Sequence, residues 1–319
     1  MTRNVENDLQ VYLDLFYFFN ENSLPDFFLS TITIFTVKFT EPIFYIFQFI
    51  INRISNGSAL FFVFFYTFSF YFICYLGVRK VIWNVSQEKS NLIFVFILLA
   101  FGSINFAETS HLMRQYLGAS FLVLYVYKLH YARNYIFSLS VLLCLMHNSI
   151  IVPLIFLNLA YYVNFRVNLW SSRMAFIVVV ISIFLTYLVN YLIALDYQDE
   201  LFDIFKLTML YDLFLFMICY YIVIVKRMKE KVPLLGTIFY FLLFYLMFLS
   251  FLSFSETIFL RFYLYIECFR FFVLLSIYYF YKPIFGNFNV KLILILLCVL
   301  IFSLRVLVAP WEYFSFELF

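Results

Sequence analysis

Three features of this 319-residue sequence predict an all-α polytopic membrane protein. Hydrophobic residues make up 66% of the chain and charged residues only 12%, whereas a soluble domain averages about 45–50% and about 25%. From residue 59 onward, uncharged apolar runs follow one another, many of them near the roughly 20 helical residues that cross a bilayer. Short charged clusters separate the runs, and basic clusters alternate with acidic or uncharged ones.

The segment 59–319 is predicted to be one transmembrane domain with about ten helices. The expected spans lie near 59–78, 91–107, 110–128, 134–147, 149–165, 174–195, 207–225, 233–254, 259–281 and 291–309. Short cytoplasmic loops retain Lys and Arg, so basic clusters such as Arg79-Lys80 mark the inner side. The turns that carry Glu108 and Glu256 are therefore expected outside.

The segment 1–58 has a different composition. It carries more charge, and its apolar stretches are shorter, which favours interfacial or re-entrant helices on the extracytoplasmic side. Because residue 59 is expected outside, either 27–52 crosses the membrane once or a span precedes this chain. The N-terminal segment is therefore predicted to be a region separate from the transmembrane domain.

The motifs that the chain lacks narrow the function. No Walker loop, dinucleotide Gly fingerprint, HExxH, paired cysteines or GxSxG occurs, so nucleotide-driven transport and zinc chemistry are not expected. The five cysteines lie inside apolar runs and are expected to be buried packing thiols. The net charge of +3 is spread over inner loops, which is a topological bias and does not indicate a nucleic-acid partner. No metal or cofactor is expected.

The candidate functional residues are the ionisable side chains expected near the outer surface. They are Glu108, His111, Arg114, His147, Glu256 and Arg261, with Asp212, Glu267, Arg270 and Arg305 in the outer halves of spans. Charges inside a membrane are costly and usually face a cavity or one another. Glu267 and Arg270 are three residues apart on one helix, so they are expected either to pair as a structural bolt or to belong to a site.

Two positions suggest specific chemistry. Arg114 and Gln115 open a helix whose free amide groups and positive dipole end favour an anion, and an arginine there suits phosphate oxygens. The alternative is an arginine that snorkels to the interface. His147 lies between two uncharged helices, where a neutral imidazole would be a general base or a packing residue.

These residues resemble the EpsG/Wzy-type family of bacterial polysaccharide polymerases. An Arg-Gln pair at a helix start and a His-x-Ser about 33 residues later match Arg114-Gln115 and His147-Asn148-Ser149. The segment Thr40-Glu41-Pro42 is similar to the family's Glu-Pro segment before a span. Arg3, Asp8 and Tyr12 resemble its first extracytoplasmic loop. The motifs cover residues 1–165, and the remainder resembles the family by hydropathy.

The resemblance implies a glycosyltransferase-C-like membrane enzyme with its active site facing outward from the bacterial inner membrane. It would join oligosaccharide repeat units carried on undecaprenyl pyrophosphate into O-antigen or exopolysaccharide, beside a flippase and a chain-length regulator. The implied roles are a base at His147, Glu108 or Glu256, and pyrophosphate-binding cations at Arg114, Arg261, Arg270 and Arg305. Arg3, Asp8, Tyr12, Gln115, Asp212 and Glu267 are further candidates.

Two other classes of function stay open. One is a lipid-linked oligosaccharide flippase or another secondary transporter, and the other is a membrane acyltransferase or ligase. Transporters often build midplane sites from Gly- or Pro-broken helices in repeated halves. Gly and Pro number only six each here and no halves repeat, which favours the polymerase.

Overall fold

A computed structural model describes residues 5–29, 41–86, 92–103, 113–132, 136–166, 202–252 and 256–308, with a few positions between 168 and 181. Within these ranges the chain is helical and contains no β-strand. The α-helices are α1 Val5–Glu21, α2 Leu24–Leu29, α3 Pro42–Ser55, α4 Ala59–Ser86, α5 Leu92–Ile97, α6 Met113–Tyr131, α7 Ile136–Met146, α8 Ile151–Arg166, α9 Phe202–Tyr220, α10 Met228–Lys231, α11 Pro233–Leu252, α12 Glu256–Phe285 and α13 Asn287–Val308.

Several of these helices are membrane spans by length and composition. Among the described residues, four are long and apolar enough to cross a bilayer, and they are Ala59–Val85, Asn148–Arg166, Pro233–Leu252 and Arg261–Phe285. Four shorter apolar helices accompany them: Ile93–Gly102, Ile136–Met146, Tyr211–Val225 and Asn287–Ser303. The prediction of an all-α multi-pass membrane protein is confirmed. The number of ten spans stays a prediction, and most of the expected span 174–195 lies outside the described residues.

The helix boundaries follow local sequence signals. α11 begins at Pro233, where the missing N–H of proline costs nothing because the first turn has no acceptor for it. α4 begins at Ala59 as expected but continues past Arg79 to Ser86, since basic side chains can extend from a helix into the interface. The chain leaves helical conformation at His147, between α7 and a 3₁₀ turn at Asn148–Ile150.

The chain packs as two compact units. Unit 1 is built from the described residues within 1–84 and 105–151, and unit 2 from those within 85–104 and 152–308. In unit 2, α11 and α12 are largely buried: 78% of an 18-residue apolar stretch in α11 and 83% of one in α12 lie inside the protein. In unit 1, only 33% of the corresponding stretch of α4 is buried, as expected of a helix that faces lipid.

Amide side chains fix the packing of α1 against α3 in unit 1. Gln48 Nε2 donates to the carbonyl of Tyr12 at 2.7 Å, and one turn later Asn52 Nδ2 donates to the carbonyl of Phe16 at 2.7 Å. Both pairs are 36 residues apart, so the two helices run parallel. A shift of α1 along α3 by one residue would leave the buried amides of Gln48 and Asn52 unpaired. The bonds therefore bring Tyr12 toward the N-terminal end of α3, which begins directly after Glu41.

Candidate functional site

A cluster of polar side chains in unit 1 joins three segments that are far apart in the sequence. Glu41 lies directly before α3, Arg114 is the second residue of α6, and His147 occupies the break after α7. The Glu41 carboxylate contacts both partners: Oε2 lies 2.8 Å from Arg114 Nη1, and Oε1 lies 2.6 Å from His147 Nδ1. The segment containing Glu41 thus meets the two residues that the sequence singled out.

Glu41 is buried, and both of its carboxylate oxygens have hydrogen-bond donors. Its side chain is 3% exposed, and Oε1 also accepts the backbone N–H of Asn148 at 3.0 Å. Burial by itself would raise the pKa of this carboxyl. The hydrogen bond from His147, the charge that His147 carries when protonated, the charge of Arg114 and the backbone N–H of Asn148 all act against burial, and the pKa lies below its usual value. Glu41 is therefore ionised and serves as a fixed acceptor.

Arg114 is held by aromatic residues as well as by Glu41. Its Nε donates to the Tyr12 hydroxyl at 3.2 Å, and its Nη1 donates to the Tyr45 hydroxyl at 3.3 Å. The guanidinium carbon lies 5.4 Å from the Tyr12 ring centroid and 5.7 Å from that of Phe44, within cation–π range. Its Nη2 makes no hydrogen bond with a described residue. The side chain as a whole is 23% exposed.

The two ring nitrogens of His147 have different environments. Because an ionised carboxylate can only accept, Nδ1 carries a hydrogen and donates it to Glu41. Nε2 is buried and has no hydrogen-bond partner among the described residues. In the neutral ring, Nε2 therefore presents a lone pair. A nitrogen oriented by a carboxylate through the opposite ring nitrogen is the usual arrangement of a histidine base.

A glycine allows the His147 segment to approach α6. A Cβ atom at Gly118 would collide with Cδ1 of Ile150 in the 3₁₀ turn. Gly118 lies one helical turn after Arg114, and Ile150 lies three residues after His147. This contact therefore helps to set the distance between the imidazole and the guanidinium.

A second polar cluster lies in unit 2. Arg270 Nε and Nη2 bond to the two carboxylate oxygens of Asp212 at 2.6 and 2.9 Å, and Nη1 bonds to Glu267 at 2.8 Å. Tyr263 also donates to Asp212, and all four side chains are buried. The Glu267–Arg270 spacing thus forms a direct ion pair. Since both carboxylates engage the guanidinium, this cluster favours the structural alternative for Arg270.

The structure describes the remaining predicted site residues to different extents. Gln115 is buried on α6, and its Oε1 has no hydrogen-bond partner in the described part of the chain. Arg261 is exposed on α12. The structure describes the backbone but not the side chains of Asp8 in α1, Glu256 at the start of α12 and Arg305 in α13. Arg3 and Glu108 lie outside the described residues.

Sequence reasoning missed two members of the unit 1 cluster. From the sequence, Glu41 belongs only to a Glu-Pro segment and has no assigned role. That segment was the signal that could have identified it. Tyr45 lies one turn into an aromatic-rich helix, and nothing in the sequence separates it from its neighbours.

Helices that cross a membrane and a buried carboxylate–histidine–arginine cluster define a multi-pass membrane protein with a candidate active site. The model of the EpsG family matches residues 1–317, so this chain belongs to the EpsG family. The resemblance noted in the sequence is thereby confirmed. No curated protein and no solved structure matches the chain. Membership of the family supports a general role in polysaccharide polymerisation.

Proposed function

We propose that the protein polymerises oligosaccharide repeat units carried on undecaprenyl pyrophosphate, into O-antigen or exopolysaccharide. One observation carries the proposal: a buried carboxylate, Glu41, orients His147 so that the unpaired Nε2 is the lone-pair nitrogen. Transfer of a sugar onto a hydroxyl needs a base for that hydroxyl, and an oriented neutral imidazole suits the task.

The reaction breaks the bond between the anomeric carbon of the growing chain and its pyrophosphate. The acceptor hydroxyl oxygen attacks that carbon, its proton passes to His147 Nε2, and undecaprenyl pyrophosphate leaves with the bonding electrons. Glu41 stabilises the imidazolium that forms, because it already accepts the hydrogen on Nδ1. Arg114 in turn keeps Glu41 ionised and in place. Arg261 and Arg305 stay predictions of the sequence as cations for the leaving group.

The proposed site faces outward from the bacterial inner membrane. The alternation of basic and acidic loops supports this orientation, with Lys229 on the inner side and Glu256 on the outer side. Single cysteines at these positions test it: a membrane-impermeant thiol reagent should label position 256 in intact cells, and position 229 only after permeabilisation. Labelling of position 229 in intact cells would contradict the orientation.

The role of His147 is tested by replacement with asparagine, which cannot accept a proton at neutral pH. His147→Asn should abolish polymer, seen as a ladder on a gel, while the amount of inserted protein stays normal. His130→Asn is the matched control, since His130 lies in the last turn of α6, at its opposite end from Arg114. Normal polymer in His147→Asn would show that His147 is not the base.

Deletion of the gene tests the function itself. Loss of the protein should leave single lipid-linked repeats on the outer leaflet, where a glycan-labelling reagent can reach them. Their accumulation on the inner leaflet would identify a flippase instead, and unchanged polymer would refute both functions. A flippase and a chain-length regulator of the same pathway are the proposed partners.

A further inference from the structure

We propose that the cluster of Glu41, Arg114 and His147 receives the acceptor sugar through its neutral hydroxyls, and that the donor's pyrophosphate does not bind there. The inference rests on the proposed function and specifies which half of the substrate pair this cluster takes. It revises the expectation that Arg114 binds pyrophosphate. The charge balance of the cluster and the polarity of its open hydrogen-bonding groups both support it.

The charge of the cluster is already balanced. Arg114 contributes one positive charge and Glu41 one negative charge at 2.8 Å, and the other partner of Glu41 is His147. In the neutral form that a base requires, His147 adds no charge, and the sum is then zero. A lipid pyrophosphate linked to sugar carries two negative charges. Near this cluster, repulsion by buried Glu41 would oppose the attraction of Arg114, whereas an uncharged sugar meets no such cost.

The open hydrogen-bonding groups match a hydroxyl and not a phosphate. His147 Nε2 is a buried acceptor without a described partner, so its ligand must supply a hydrogen. A sugar hydroxyl has one, but an ionised phosphate oxygen only accepts. Placed against Nε2, a phosphate would set two acceptors facing each other.

The same cluster also offers hydrogen-bond donors. Arg114 Nη2 is one. The Tyr45 hydroxyl, which accepts from Arg114 Nη1, has its own hydrogen left to donate. Burial raises the pKa of Tyr45 to about 12 despite the opposing charge of Arg114, so the hydroxyl keeps that hydrogen at neutral pH. One acceptor together with two donors suits neighbouring hydroxyls of a sugar, because each hydroxyl both donates and accepts.

The assignment determines the direction of proton flow. The acceptor hydroxyl donates to Nε2 before the reaction, and during attack on the anomeric carbon its proton moves to that nitrogen. The product is a glycosidic bond and an imidazolium paired with Glu41. The proton leaves to solvent before the next acceptor binds, so the cluster returns to its neutral state.

Binding to His147 can be measured without turnover. The whole protein in lipid nanodiscs, with ¹⁵N-labelled histidine, has three histidines, and His147→Asn identifies the resonances of His147. Two probes are titrated: inorganic pyrophosphate, and the oligosaccharide released by mild acid from lipid-linked repeats of the deletion strain. The oligosaccharide should shift the His147 Nε2 resonance saturably, and pyrophosphate should leave it unchanged. A saturable shift with pyrophosphate, or none with the oligosaccharide, would overturn the inference.

A kinetic measurement separates acceptor binding from donor binding. Tyr45→Phe removes one donor to the ligand, and it should raise KM for single lipid-linked repeats about two- to tenfold with a saturating donor chain. KM for the donor chain should not change. Tyr17→Phe, on an exposed tyrosine of the same unit, is the control. A rise confined to KM for the donor would contradict the inference.

The two proposals fail in different experiments. Unchanged polymer in the deletion strain refutes the polymerase function, whatever binds at His147. A pyrophosphate-dependent shift of His147 refutes acceptor binding, even where the deletion strain lacks polymer.

Discussion

Replacement of Glu41 by glutamine tests the central contact of the site. Glutamine keeps the size of the side chain, and its one carbonyl oxygen can still accept from His147 and Asn148. Its amide group then faces Arg114 Nη1, so two donors meet where an ion pair existed. The variant therefore removes one charge and leaves Arg114 uncompensated.

The expected cost follows from the burial of the pair. Removing one partner of a buried ion pair typically costs about 3–5 kcal/mol. Arg114 is 23% exposed and its aromatic contacts remain, so the lower end applies, about 3 kcal/mol. For a chain of this length, that loss corresponds to a decrease in Tm of roughly 5 °C. Thermal unfolding of the detergent-solubilised protein measures it. Glu230→Gln, on an exposed glutamate, should change stability by no more than about 0.5 kcal/mol.

The pH dependence of the Tm difference between wild type and Glu41→Gln gives a second measurement. The folded protein holds the pKa of Glu41 below its ordinary value of 4.5, so its contribution to stability is fully present above that value. The contribution is lost as the pH falls through the lower pKa of the folded state. The Tm difference between wild type and Glu41→Gln should be constant near neutral pH and decline in acid. Equal Tm values at neutral pH would refute the account of Glu41 as the residue that holds the site together.

Two further substitutions test the packing of each unit. Gly118→Ala should lower stability by about 1–3 kcal/mol and reduce polymer, because the added methyl group collides with Ile150. Adding Ile150→Val to that variant should restore both, because it removes the colliding atom. If the double variant recovers neither stability nor polymer, this contact does not position His147. Arg270→Gln should strongly reduce the amount of folded protein on immunoblots, because buried Asp212 and Glu267 lose their cation. The triple variant with Asp212→Asn and Glu267→Gln should recover most of it. Normal levels in Arg270→Gln alone would contradict a structural role.

Local sequence signals predicted much of the fold and part of the site. Hydropathy and charge located most helix boundaries within a few residues, including the start of α6 near Arg114 and the break at His147. The Glu267–Arg270 contact followed from a spacing of three residues, since one helix turn sets that distance whatever surrounds it. Asp212 is the exception in the same cluster. It reaches Arg270 across 58 residues of chain, and no local rule pairs them.

The sequence by itself determined the membrane environment, the helical class and the family, and it singled out Arg114 and His147. These properties depend on composition and short spacings, because lipid requires the backbone to form its hydrogen bonds within each helix. Only the tertiary structure brought Glu41 to both residues, across 73 and 106 positions of chain. Such contacts depend on how helices pack, which here rests on the Gln48 and Asn52 amides and on the close approach at Gly118. Packing therefore made two separate candidates into one site around a shared carboxylate.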